Sequence, residues 1–259
     1  TNYRIMRYWD SEAGELPVIL TVASGAELTL NEENTLYIAG GKLVNNGTVI
    51  LQNGGNIEVW IDGAFTNNGT VVNNKGRFLV QDEYIGSSVT TNTGIKGNPI
   101  VGIVYSAKVY DWKGLKVAAE RRLESDSDKY YTRIEIRSES EVVLEDNLEI
   151  EASVFVEWDS GIEVPEGKTL MFRGTHVIHN NGDIWVLGNL TVNSDYNFYN
   201  FGYVQVGVGS GSALFENRGN FFNRNRVEIW RGGTFNNTGY FDGDSPDLSN
   251  GGTAFGITP

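Results

Sequence analysis

Gly41-Lys42-Leu43-Val44-Asn45-Asn46-Gly47-Thr48-Val49 recurs one period later as Gly63-Ala64-Phe65-Thr66-Asn67-Asn68-Gly69-Thr70-Val71. In the C-terminal half, Gly211-Ser212-Ala213-Leu214-Phe215-Glu216-Asn217-Arg218-Gly219 is followed by Gly233-Thr234-Phe235-Asn236-Asn237-Thr238-Gly239, which carries Gly219 onto Gly239. His179-Asn180-Asn181-Gly182 and Tyr199-Asn200-Phe201-Gly202 are related in the same way. A period of 20 to 22 is too short for helical-pair repeats, which need about 33 residues or more. Leucine-rich repeats fit the length, but their spaced Leu and Asn pattern is absent. The residues between turns are Val, Ile, Phe, Tyr and Thr, which form strands.

A parallel β-helix has one coil per such period, with two or three short strands in each. Asn and Gly tolerate left-handed backbone, so Asn45-Asn46-Gly47, Asn67-Asn68-Gly69, Asn180-Asn181-Gly182 and Asn236-Asn237…Gly239 are read as sharp turns between strands. Stacked coils would place their asparagines above one another, and the side-chain amides would hydrogen-bond in a ladder. Asn-Gly is also a hairpin signal. A hairpin array needs no fixed spacing, however, so the solenoid is preferred. The expected fold is all-β: a right-handed parallel β-helix with coils of about 20–22 residues.

Outward from the repeats, short strand runs are expected at Tyr3 to Tyr8, Val18 to Val22, Glu27 to Leu30 and Ile100 to Val104. Others follow from Thr132 to Ile136, Glu141 to Leu144, Leu148 to Ile150, Ser153 to Val156, Ile162 to Val164 and Thr169 to Phe172. One helix is expected near residues 112–125, capped by Asp111, with Leu115, Ala118, Ala119 and Leu123 on one face. Such a helix would cover the open end of a solenoid. Gly114 argues against it. The implied organisation is a first module over 1–85, a polar linker or loop with a short strand over 86–104, a helix-capped second module over 105–243, and a tail over 244–259.

The chain resembles the repetitive solenoid domains of bacterial cell-surface and adhesin-like proteins, in the pectate-lyase-like right-handed β-helix class. The resemblance rests on Leu115-Lys116-Val117-Ala118-Ala119-Glu120, Ile134-Glu135-Ile136-Arg137-Ser138, Ile162-Glu163-Val164-Pro165-Glu166-Gly167-Lys168-Thr169-Leu170 and the Asn-Asn-Gly coils. It covers most of 105–243 and, more loosely, 16–82. It implies a β-helix in an extracellular or cell-surface bacterial setting, with polysaccharide or a host or neighbour-cell surface protein as partner.

Composition narrows the functions. The chain has 259 residues, a net charge of −13 and no cysteine. Such a surface repels phosphate backbones and anionic lipid, so nucleic acid is not an expected partner. Disulfides, thiolate metal sites and Cys nucleophiles are excluded. No apolar run is long enough to span a bilayer, so no segment is expected to insert in a membrane. The chain opens on Thr1, as removal of a signal peptide or trimming would explain.

Polysaccharide lyases and glycosidases share the β-helix class, so paired carboxylates need scrutiny. Asp242, Asp244 and Asp247, with Glu228 nearby, form one acidic group, and Glu124, Asp126 and Asp128 form another. Both read as solvated turns, and neither matches a calcium loop. His176 and His179 read as turn residues, and Gly207 to Gly211 as a turn. No catalytic residue, metal or cofactor is assigned.

The tryptophans carry more. Alternation points Ile57, Val59 and Ile61 inward and Glu58, Trp60 and Asp62 outward. Likewise Val227 and Ile229 turn in while Glu228 and Trp230 turn out, and Trp185 turns out between Ile184 and Val186. Outward indoles beside carboxylates suit sugar rings, so Trp60, Trp185, Trp230, Glu58 and Glu228 are the candidate ligand-binding residues. Parity predicts a buried Trp158, and Tyr196, Phe198, Tyr199, Phe201 and Tyr203 are expected in coil interiors and turns. Three functions follow: a non-catalytic structural or adhesin-like interaction module, a glycan-binding module, or a carbohydrate-active enzyme.

Overall fold

A computed structural model describes residues 2–10, 14–32, 34–60, 62–87, 90–92, 95–98, 100, 102–120, 129–208 and 211–257. The chain is all-β, with one short helix among the described residues, and it divides into two compact units. Unit 1 comprises 1–84, 90–107 and 121–131; unit 2 comprises 85–89, 108–120 and 132–259. Both are parallel β-solenoids, with about ten turns between them.

In unit 1 the first face stacks Asn2–Asp10, Thr35–Ala39, Asn56–Val59 and Arg77–Ile85. The second stacks Ile19–Val22, Lys42–Asn45, Ala64–Asn67 and Ile95–Gly97. The third stacks Glu27–Leu30, Thr48–Gln52 and Thr70–Asn74. Asn2–Asp10 also pairs antiparallel with Gly14–Pro17.

In unit 2 the first face runs from Ser153–Val156 through Val177–Asn180, Asn197–Asn200 and Asn220–Asn223 to Tyr240–Gly243, and residues 132–136 of the strand Lys129–Ile136 precede it. The second runs from Glu141–Val143 through Gly161–Val164, Asp183–Val186 and Tyr203–Val206 to Arg226–Ile229. The third runs from Leu148–Ile150 through Thr169–Phe172, Asn189–Val192, Ala213–Asn217 and Gly233–Asn237 to Thr253–Phe255. The strand expected at Ile100 to Val104 forms later, at Ile103–Val109.

Alternation puts one row of each strand inside. In register, Ile134, Val154, Ile178, Phe198, Phe221 and Phe241 form one interior column. The column turns aromatic toward the C-terminal coils, where Phe198, Phe215, Phe221 and Phe235 meet at centroid distances of 5.0 to 5.7 Å.

Coil length varies more than expected. Leu170 aligns with Leu190, but Leu190 aligns with Phe215, so the second of these coils is the longer. Strand lengths in unit 2 stay nearly constant, and the corners absorb the difference. The long corners carry left-handed residues: Asp159 (φ 55°), Gly167 (φ 77°) and Gly174 (φ 89°).

The tight corners work differently from the left-handed reading. Gly47, Gly69, Gly182 and Gly239 do not adopt positive φ, since the positive-φ set lies elsewhere. They are glycine because coils stack backbone on backbone. A Cβ on Gly202 would lie 2.0 Å from the Gly182 carbonyl oxygen, and one on Gly69 would lie 2.1 Å from that of Gly47.

The asparagine ending the strand before each such corner turns inward and is buried. Asn45 Nδ2 donates to Asn67 Oδ1 at 2.8 Å. Asn180 donates to Asn200 and Asn200 to Asn223, both at 2.8 Å, and Asn217 donates to Asn237 at 2.6 Å. The second amide proton satisfies a backbone carbonyl, as Asn45 does with Thr70 at 3.0 Å. Asn46 and Asn68 pair outside, at 2.9 Å. Asn181 takes the matching corner position after Asn180. Asn236 is a correction: it lies on a strand facing outward beside Glu216, and the corner is Asn237-Thr238-Gly239.

Two burial expectations are also corrected. Trp158 is 64% exposed. The strand ends at Val156, and the corner at Asp159 breaks the alternation that predicted burial. Tyr196 and Phe198 are interior and Phe201 lies at a corner, as expected, but Tyr199 and Tyr203 are half-buried on outward strand positions.

The helix spans Trp112–Glu120 and buries Leu115, Ala118 and Ala119, together with Trp112 and Gly114. Its expected continuation to 125, with Leu123, lies outside the described residues. Asp111 caps it, accepting from Gly114 N at 2.9 Å and from Ser87 N at 2.5 Å. Gly114, unfavourable by propensity, is required by packing: a Cβ there would lie 2.2 Å from the Ile85 carbonyl oxygen.

Gly202→Ala should lower stability by about 2–3 kcal/mol, through a backbone clash that cannot relax. Gly167→Ala, where nothing lies within 4 Å and only the positive φ resists, should lower it by about 1 kcal/mol. Urea denaturation of both variants separates the two causes, and equal midpoints would refute close approach as the reason for the corner glycines.

Candidate functional site

On the first face of unit 1, Leu36, Ile38, Ile57 and Val59 turn inward, so Tyr37 and Glu58 turn outward in register. Arg4 aligns with Tyr37 on the strand to the other side. Trp60 follows Val59, its backbone N–H donating to the Ile38 carbonyl at 2.9 Å, and its side chain is 39% exposed. The indole Nε1 donates to Glu58 Oε2 at 3.2 Å, which fixes the ring. The Tyr37 ring meets it edge-on at 5.8 Å and 80°, and the Arg4 guanidinium lies 5.7 Å from the Tyr37 centroid. Ala39, in register with Met6, is the small residue of the group. Together Arg4, Met6, Tyr37, Ala39 and Trp60 line a cleft of about 260 Å³. Ile61, expected inward, lies outside the described residues.

The Glu228–Trp230 pair of unit 2 repeats the local motif, with Trp230 Nε1 donating to Glu228 Oε2 at 3.0 Å. Its surroundings differ. Tyr203 OH donates to the same oxygen at 2.5 Å and Arg226 forms an ion pair with the carboxylate, leaving Glu228 only 5% exposed. The Tyr203 hydrogen bond, then those of Trp230 and the charge of Arg226, hold this carboxyl below its ordinary range against the opposing effect of burial. Burial and the bond to Glu228 push the Tyr203 phenol up to about 12. Glu228 is a satisfied anion, not an open acid.

Trp185 is half-buried and lies over Gly161, whose absent Cβ would sit 2.4 Å from Cζ3. It walls a cleft of about 290 Å³ whose acids are Glu139, Glu141, Asp159 and Asp183. Burial and the charge of Asp159 raise the Asp183 pKa. Trp185 and Trp230 do not share a row. Trp185 stands in the column of Glu163, Gln205 and Glu228, while Trp230 stands two positions beyond Glu228.

The C-terminal carboxylates are engaged separately. Asp242 pairs with Arg224 at 2.5 Å, and Asp247 accepts from Ser249 N at 2.8 Å. Glu124, Asp126 and Asp128 lie outside the described residues. Among the described residues no group of three or more His, Asp or Glu is placed to hold a metal ion, and no helix is long and apolar enough to cross a membrane.

One arrangement escaped the sequence reading. Phe155, His179, Tyr199 and Phe222 form an outward column on the first face of unit 2. Their rings stack at 4.8, 5.1 and 4.7 Å with planes within 13°. The Arg133 guanidinium sits 3.9 Å from the Phe155 centroid. His179 is therefore a strand residue in a stack, and its pKa is lowered by burial and then by the charge of Arg133. His176 sits beside Tyr196, its pKa also lowered by burial. The faces of the stacked rings cover one another. The signal was present, since His179, Tyr199 and Phe222 each immediately precede a ladder asparagine.

No family model matches the chain, and neither a curated protein nor a solved structure matches it.

Asp183 titrates above its ordinary 3.8 in the fold, so its ionisation at neutral pH opposes folding, and the penalty vanishes below that value. Asp183→Asn should raise stability at pH 7 by a few tenths of a kcal/mol, the amount being limited by solvent screening. At about pH 3 it should change nothing. Thermal midpoints at the two pH values check both sign and window.

Proposed function

We propose that this chain is a non-catalytic β-solenoid that works outside the cell or at a bacterial cell surface, as a structural, adhesin-like interaction module of the pectate-lyase-like class. One observation carries the reading: outside the acidic cleft at Trp185, side chains suited to acid–base work are committed to neighbours. Glu228 is held by Tyr203, Trp230 and Arg226, Asp242 by Arg224, and His179 by its aromatic stack. What the coils present outward are columns of side chains in register, and several weak contacts along such columns add through multivalency. The net charge of −13 favours polysaccharide or a protein surface over nucleic acid as partner.

A second reading, glycan binding, is favoured by the Trp60 cleft. That indole combines an exposed ring with a fixed orientation. Trp185 is laid over Gly161, and Trp230 helps to close over Glu228.

Incubation with a panel of polysaccharides should release neither reducing ends nor unsaturated products. Release that disappears in Asp159→Asn or Asp183→Asn would overturn the non-catalytic reading. On a glycan array, Trp60→Ala should lower binding by about tenfold or more, as loss of an aromatic anchor does, while Trp185→Ala and Trp230→Ala change it little. Equal losses across the three would count against the cleft.

A further inference from the structure

We propose that the Trp185 cleft of unit 2 binds a primary alkylammonium, the group carried by a lysine side chain or an aliphatic diamine. Its ammonium would lie among Glu139, Glu141, Asp159 and Asp183, and its methylenes along the indole. The site goes beyond the interaction-module reading and does not depend on glycan binding at Trp60.

The coil geometry gathers the acids. On the second face, Glu141, Gly161 and Asp183 follow one another in register, so a glycine separates two carboxylates and leaves room between them. Trp185 lies over that glycine and walls the space. At the preceding corner, Glu139 and Asp159 both hold left-handed backbone, at φ 65° and 55°. The Glu139 N–H donates to the Asp159 carbonyl at 2.8 Å, which stacks one acidic corner on the next.

These acids are unbalanced. Glu157, two residues before Asp159, is paired with Arg137. Among the described residues no lysine or arginine lines the cleft or pairs with its four acids. Burial, then the charge of Asp159, raise the Asp183 pKa, so a cation placed there relieves a repulsion already present. The net charge of −13 draws cations toward the surface.

A separate observation points to a ligand. Ser140 is 6% exposed and lines the cleft, and its hydroxyl has no hydrogen-bond partner among the described residues. Ser160, its counterpart one coil on, donates to the Glu157 carbonyl at 2.7 Å. Among the described residues the fully enclosed side-chain atoms without a partner are Asn180 Oδ1 and Asn217 Oδ1. The unpaired Ser140 oxygen therefore reaches open space, and the space it lines is this cleft. A hydroxyl oxygen accepts readily from an ammonium, which has three donors and no acceptor.

The form of the cation follows from the spread of the acids. Among the described residues no three of them are placed to hold one metal ion. Carboxylates set around about 290 Å³ suit a longer cation with an apolar stem, and an indole attracts both the stem and the charge.

The test is calorimetric titration at low ionic strength, where exposed charges are least screened. Cadaverine should bind. Nα-acetyl-lysine amide should bind about three- to fivefold more weakly, for want of the second ammonium. Its Nε-acetylated form, which keeps the stem and loses the charge, should not bind. A lysine amide that matches cadaverine would still support the site and would assign it to a lysine of a partner protein. Asp159→Asn with Asp183→Asn should weaken cadaverine about fivefold or more, and asparagine is tolerated at the left-handed corner. Trp185→Leu should weaken it about threefold. Glu145→Gln with Asp195→Asn, the same change of charge at exposed positions outside the cleft, should leave it unchanged. Equal losses in the two double variants would reduce binding to the general attraction of a negative surface and overturn the site. Absence of cadaverine binding would overturn it as well. Calcium that binds more tightly than cadaverine, and is lost with the same two acids, would replace the ammonium with a metal ion.

Discussion

Parallel strands about 4.8 Å apart oblige each side chain to lie on its counterpart one coil away. Every row of this molecule answers to that spacing. Aliphatic residues accept it inside, and Phe accepts it either tilted, as at 42° between Phe198 and Phe221, or stacked, as at 16° between Phe221 and Phe241. Asparagine accepts it by pairing amide to amide. Where two backbones must themselves touch, only glycine fits, because a Cβ at the tight corners would lie 2.0 to 2.4 Å from a carbonyl oxygen of the neighbouring coil. The repeated sequence is the record of this geometry: polar and small residues recur where stacking leaves no alternative.

The same spacing decides what the exterior can do. Flat rings on one outward column stack face to face and remove those faces from use, as Phe155, His179, Tyr199 and Phe222 do. A ring stays open to a partner only where its neighbours in the column are small or angled away. Trp60 meets that condition, with Ala39 beside it and Tyr37 edge-on. Trp185 has the small neighbour, Gly161, but lies down upon it. Outward parity is thus necessary for an accessible aromatic site and does not suffice.

The repeat, the parallel pairing, the asparagine ladder and the capped helix face were legible because each follows from periodicity and residue type. The role of the corner glycines was misread, because close approach between neighbouring coils leaves the same letter as a left-handed turn. Trp158 was misread because parity holds only within a strand, and it follows the strand end at Val156. The cleft was half legible. Trp60 and Glu58 lie in the repeat, but Arg4 aligns with Tyr37 across a separation much longer than the period that a search for repeats detects. Met6 and Ala39 are hidden by the same offset.

The buried asparagine ladder has a direction. In each of its described rungs the amide nitrogen of one coil donates to the oxygen of the next toward the C-terminus. Each interior rung therefore gives one bond and receives one, and only the first member lacks an asparagine donor: Asn45 Oδ1 accepts from Gly47 N at 3.1 Å instead, whereas Asn180 Oδ1 and Asn217 Oδ1 are left unmatched. Beneath them stand Val156 and Val192, which cannot donate from their side chains. That end penalty is the same for a short ladder and a long one. A gene segment encoding one whole coil can be copied into such a stack without creating a new orphaned group, so the architecture is suited to growth by duplication in units of a turn.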